Sequence, residues 1–240
     1  MLRKTIQLID TTVNRVVAFL CLILFLICFY AMVDAVNVYL NANDTSILKY
    51  KPDLDKGTDP LKELSPDCVA WLTVENTRID YPVMQGKTND TYINKDPYGD
   101  FSLSGSIFLD SRNSSDFSDD YSMVYGHHME YGAMFGVLDE YIDPVFFRNH
   151  RKGTLITTSG KNYSINIFAC AKAPASDTLI FNPTETKKEE LLAYLEQNAT
   201  IYEPEEAQGN DSILALSTCQ SADDIERMIV FGTLSDISHK

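Results

Sequence analysis

With 240 residues, 45% of them hydrophobic, the chain can bury one good-sized core and still carry an anchor segment. Its formal charge of −14 excludes the usual electrostatic basis of nucleic-acid binding, because phosphates need Lys and Arg to displace their counterions. Acidity alone names no partner; it is also the ordinary character of a soluble surface.

Residues 16–33 (VVAFLCLILFLICFYAMV) carry no charge and are long enough to cross a bilayer core. Arg3, Lys4 and Arg15 precede them, and Asp34 and Asp44 follow. Positive residues stay on the cytoplasmic side, so a single-pass anchor is predicted, with the bulk of the chain outside. The competing reading is a signal peptide cleaved near Val33-Asp34-Ala35, but the apolar stretch is longer than a usual signal core. The predicted organisation is a cytoplasmic tail at 1–15, a transmembrane anchor at 16–36, a polar stalk at 37–65 with a short helix near 60–64, and one domain at 66–240.

After Pro66 the texture becomes that of strands. Runs at 69–75, 78–84, 105–109, 121–125, 154–158, 163–171, 212–218 and 228–234 are rich in Val, Ile, Tyr, Phe and Thr. Gly, Asn, Asp or Ser often lie between them. Eight such runs predict a mostly β fold closed, or nearly closed, into a barrel. Two helices interrupt them. Residues 133–141 suit a short one. Residues 185–199 place Leu191, Leu192 and Leu195 on one side, with Thr184 as the expected N-cap.

Two of the five cysteines, Cys21 and Cys28, lie in the apolar span. Cys68, Cys170 and Cys219 are scattered beyond it with no CxxC and no dense disulfide spacing. An odd number outside the membrane leaves at least one unpaired or paired between chains.

The apolar run Ile213–Leu216 leads through Ser217-Thr218 to Cys219 at the expected strand end, and Arg227 opens the next strand after a polar loop. If those runs pair as neighbouring strands, thiol and guanidinium can face one groove. The positive charge would then favour thiolate and steady an oxyanion. Spacing by itself favours Cys219 as a small core residue and Arg227 as a surface charge, because free Cys is commonly buried. His127 and His128 follow a strand that Gly126 is expected to break. Adjacent side chains at a strand end diverge, so one groove would use one imidazole, the usual proton shuttle near neutral pH. No HExxH and no Cys cluster is present, so neither a metal nor a cofactor is expected.

The segment Leu216-Ser217-Thr218-Cys219, with Arg227 eight residues on, resembles the TLxTC…R signature of sortases. Ala215 stands where that signature usually has Thr, a departure in the strand and not in the reacting groups. Tyr125-Gly126-His127-His128-Met129 is similar to the family's catalytic-histidine segment, in which the His directly follows a Gly; this selects His127. Ala70-Trp71-Leu72, Tyr81-Pro82-Val83 and Gln85-Gly86 extend the likeness over most of 66–240, and the helix at 185–199 falls where class B sortases have one.

The resemblance implies an eight-stranded sortase barrel and a cysteine transpeptidase with Cys219, His127 and Arg227 as catalytic residues and Ser217 and Thr218 binding substrate. It implies surface-protein substrates with an NPxTx- or LPxTG-like sorting signal and an amine acceptor on peptidoglycan or a pilin lysine. A cysteine peptidase that uses water and a non-catalytic β-barrel binding module remain the rival readings.

Overall fold

The computed structural model describes residues 2–42, 45–52, 59–203, 211–218 and 226–237. Two compact units are present, one up to residue 41 and one from residue 42 onward. The first is the helix α1 (Leu2–Ala42). At 1.5 Å per residue its 41 residues extend roughly 60 Å, twice a hydrocarbon core of about 30 Å. Most of its described apolar side chains, Phe19, Leu20, Leu24 and Phe25 among them, are exposed. By length and composition α1 qualifies to cross a membrane, a test that signal sequences also pass.

Among the described residues the second unit has nine strands: β1 (Cys68–Val74), β2 (Asp80–Met84), β3 (Ile107–Leu109), β4 (Tyr121–Gly126), β5 (Lys152–Thr157), β6 (Asn162–Pro174), β7 (Ile201–Tyr202), β8 (Ser212–Thr218) and β9 (Glu226–Asp236). Their order is β5-β1-β2-β3-β4-β8-β9-β6-β7, and a β5–β6 pairing closes eight of them into a barrel. The predicted closure and all eight predicted runs are therefore present. The ninth strand, β7, pairs only with Ala169 and Cys170 of β6; two residues are too few to show a period in sequence. The parallel pairs are β2–β3 and β4–β8. The second of these joins segments about ninety residues apart and sets up the site described below.

Alternation along the strands divides the apolar residues between two faces. Leu72, Val83, Ile107, Val124, Leu155, Ile165, Leu214 and Val230 come one from each barrel strand and fill its interior. The alternate positions, including Trp71, Phe108, Tyr121, Met123, Tyr125, Phe168, Ala215, Ile229 and Phe231, form a second cluster on the outer face. It lies beneath the helices α2 (Asp59–Leu64), α4 (Thr178–Phe181) and α5 (Lys188–Asn198), through Leu61, Leu64, Ile180, Leu191 and Leu195. Ile47, on a 3₁₀ turn at Thr45–Tyr50, joins this cluster. Helix α3 (Pro144–Asn149) contributes Phe147 to the barrel interior, and Asp143 caps it by accepting from the Val145 and Phe146 N–H groups.

Two local expectations are corrected. The helix read at 133–141 is instead a 3₁₀ stretch, Gly136–Ile142, because Met134 takes a left-handed φ of 52° that no helix continues through. Thr184 does not cap the 185–199 helix. That helix starts at Lys188 behind Lys187, which makes no side-chain cap. Gly126 is the last residue of β4, as expected, and a Cβ there would sit 2.4 Å from Ile107 Cδ1 and 2.8 Å from the Phe135 ring, so it also permits close packing.

Candidate active site

His127 follows directly on β4, and β4 lies parallel to β8 with Tyr125 opposite Ser217 and Gly126 opposite Thr218. Its imidazole is half-buried, with Nε2 2.7 Å from the Ile93 carbonyl oxygen. A carbonyl only accepts, so Nε2 carries the proton and donates it; Nδ1 is the nitrogen left to exchange a proton. Gly105 makes this contact possible. Its φ is +59°, and a Cβ would fall 2.3 Å from the Ile93 oxygen and 3.0 Å from His127 Cδ2. His128 turns elsewhere: it is exposed and pairs through Nε2 with Asp139 Oδ2 at 2.8 Å.

β8 ends at Thr218 and β9 begins at Glu226, and the two run antiparallel with Ser217 opposite Ile229. Ser217 is fully buried and donates from Oγ to the Thr218 carbonyl at 3.1 Å. Thr218 is 5% exposed, and its Oγ1 accepts from the Met228 N–H at 3.1 Å. These two hydroxyls hold the strand end in shape. Arg227 is half-buried and lies opposite Ala173 of β6. Its Cζ sits 4.9 Å from the centre of the Phe181 ring, a cation–π distance. Its Nε is buried and makes no hydrogen bond among the described residues.

Cys219 lies outside the described residues. The other two cysteines beyond the apolar span are buried, Cys68 at 3% and Cys170 at 0% exposure. Burial pushes the Cys68 thiol up to about 12 and the Cys170 thiol up to about 11. Both are held in the thiol form near neutral pH, which disfavours either as a nucleophile. Nothing in the sequence singles out Ile93 or Phe181. A backbone carbonyl leaves no trace in composition. Phe181 ends a one-turn helix whose only local signal is the Asp177 cap.

The Sortase domain profile matches residues 72–235. Sortase B of Listeria monocytogenes is 36% identical over 206 residues, covering 84% of this chain and 82% of its own. The crystal structure of a class B sortase of Streptococcus pyogenes involved in pilus biogenesis is 41% identical, with a TM-score of 0.68 over 74% of this chain and 97% of that one. A Staphylococcus aureus sortase B–substrate complex is 28% identical, with a TM-score of 0.68 over 75% of this chain and 84% of that one. The barrel agrees with these structures as well as the sequence does, and the chain belongs to the sortase family of cysteine transpeptidases, where it is most like class B.

Proposed function

We propose that Cys219, His127 and Arg227 form the active site, and that the enzyme joins surface proteins to an amine of a bacterial envelope. One observation carries this reading. Tyr125, Ser217 and Ile229 form a single row across three adjacent strands, β4, β8 and β9. Tyr125 and Ile229 both belong to the outer-face cluster. His127, directly after β4, and Arg227, two residues before Ile229 on β9, extend this row at the same end of the sheet, and in sequence Cys219 comes two residues after Ser217.

The chemistry follows from that row. The Cys219 thiolate attacks the Thr carbonyl of a C-terminal sorting signal, and the guanidinium of Arg227 steadies the oxyanion. Collapse breaks the peptide bond, and the leaving amine takes its proton from His127 Nδ1, which leaves a thioester on Cys219. An incoming amine then attacks the thioester, gives its proton to His127 and releases the thiolate. Ser217 and Thr218 bind substrate through the strand end they shape. An NPxTx-like signal suits the likeness to class B, with an LPxTG-like signal as the alternative. The acceptor is a peptidoglycan amine or a pilin lysine. The Streptococcus pyogenes relative, described as involved in pilus biogenesis, supports the second.

The test is incubation with a panel of sorting peptides, with and without triglycine. An amine-dependent ligation product is expected. Hydrolysis unaffected by added amine would favour a peptidase. No turnover, together with a Cys219 that resists alkylation in the native protein, would favour a binding module.

Arg227→Lys is expected to lower turnover by about a hundredfold although the charge is kept, because a planar fork can direct two hydrogen bonds and an ammonium cannot. Near-normal peptide turnover in that variant would show that only charge matters at the position, or that Arg227 stands outside the site.

We also propose the organisation given by sequence: cytoplasmic residues 1–15, anchor 16–36, connecting segment 37–65 and extracellular catalytic domain 66–240. The basic residues before the uncharged span support that orientation. Protease added to intact protoplasts is expected to remove the domain and leave a short protected fragment. A secreted product beginning near Val36 would contradict it.

A further inference from the structure

We infer that Arg112 is a positioning residue for Arg227, acting through Phe181; this rests on the reading of Arg227 as an active-site group. Phe181 closes α4, a single turn with too few internal hydrogen bonds to persist alone. Side chains from elsewhere hold it. Asp177 accepts from the N–H groups of Leu179 and Ile180, and Tyr194 in turn donates to Asp177. The three last carbonyls of the turn are each taken by a different donor. Thr186 Oγ1 donates to the Leu179 oxygen at 2.7 Å and Tyr121 to the Ile180 oxygen at 3.0 Å. Arg112 Nη2 donates to the Phe181 oxygen at 2.7 Å, while its Nη1 reaches Asn182 Oδ1 at 2.9 Å.

Arg112 is itself held rigidly. Its Nε and Nη2 form a two-pronged pair with the fully buried Asp110 at 2.9 and 2.8 Å. Tyr125 and Asn89 also donate to Asp110. Burial pushes the Asp110 carboxyl up, but the hydrogen bonds from Arg112 and Asn89 outweigh it and hold it below the usual carboxylate range. The pair thus stays charged at neutral pH, and one guanidinium ties the turn after β3 to the residue whose ring covers Arg227.

The geometry gives that ring a purpose. The Arg227 guanidinium lies against Phe181, and its Nε is buried without a partner among the described residues. A buried donor without a partner is costly, and no hydrogen bond from it sets the plane of the guanidinium. Stacking on an aromatic face fixes it. Arg112 fixes the face, and so aims the remaining N–H groups of Arg227.

The experiment uses the detergent-solubilised full-length protein, with turnover of a sorting peptide and the Arg227 Nε–H resonance as readouts. That resonance is assigned by its disappearance in Arg227→Lys. Ring current from Phe181 is expected to shift it away from its position in free arginine. Arg112→Ala should return it there and lower turnover about tenfold. Because Arg112→Ala strips the partner from a buried carboxylate and can fail to fold, Phe181→Leu gives the same test with the ion pair intact, and Phe181→Tyr should restore both readouts. On the Arg227→Lys background, Arg112→Ala or Phe181→Leu should cost no further turnover, since groups acting through one another are not additive. An unmoved resonance in folded variants, or a full further loss on that background, would remove Arg112 and Phe181 from the account and leave Arg227 in the site. Near-parental turnover by Arg227→Lys would show that the aim of its N–H groups does not matter, whether because charge alone suffices or because Arg227 stands outside the site, and would overturn this inference.

Discussion

Cys219→Ala is expected to fold as the parent does and to lose turnover to the background level. Covalent catalysis needs a sulfur that can leave the thiol form, and the protein's other two cysteines beyond the apolar span do not offer one. Cys68 donates to the Ala70 carbonyl at 3.6 Å from within the outer cluster, and Cys170 to the Tyr141 carbonyl at 3.2 Å from within the barrel. Both are desolvated, and desolvation is the largest cause holding each in its thiol form. Neither can replace Cys219 when its sulfur is removed. Loss of one sulfur just beyond β8 in sequence should cost no more than about 1 kcal/mol, so thermal unfolding of the variant should stay close to the parent's. Residual amine-dependent ligation by Cys219→Ala would show that another group performs the acylation. A collapsed melting transition would show that Cys219 is a packing residue.

His127→Ala is expected to lower turnover by roughly a hundredfold or more, while His128→Ala leaves most of it. The two side chains leave the chain in different directions and have different partners. His127 is fixed by the Ile93 carbonyl and clears Gly105, with Nδ1 left to move a proton. His128 is exposed and paired with Asp139 across the loop that follows. The position of Gly105 supplies an independent check. Gly105→Ala would force a Cβ to 2.3 Å from the Ile93 oxygen on a backbone of positive φ, and should lower turnover by displacing the imidazole. Peptide turnover rates for the two histidine variants decide the assignment. The reverse order of losses would give His128 the shuttle role, and equal losses would make the pair structural.

Much of the fold is legible in the sequence. The barrel shows because its strands are short, β-branched and punctuated by turn residues, and the barrel alternates cleanly between an inner and an outer face. Cys219 and Arg227 can be read as flanking one strand-to-strand connection, and β8 and β9 are indeed antiparallel neighbours. The place of His127 cannot be read from spacing. It depends on the parallel pairing of β4 with β8, a contact between distant segments that leaves no local pattern. The resemblance to sortases supplies that link. Interior details depart from expectation for local reasons: the left-handed Met134 delays the 3₁₀ stretch, and the hydroxyl of Thr186, near the expected cap at Thr184, serves the Leu179 carbonyl instead. The Asp110–Arg112 pair stays hidden because two charged residues two apart in a turn look like surface until one of them is found fully buried.

The most direct test of the central claim is intact-protein mass spectrometry of the enzyme mixed with a sorting peptide in the absence of acceptor amine. The account predicts a mass increase equal to the peptide acyl fragment, lost on addition of hydroxylamine or triglycine and mapped by digestion to the peptide containing Cys219. An adduct mapped to Cys68 or Cys170, or efficient amine-dependent ligation with no adduct at Cys219 at any time, would contradict it.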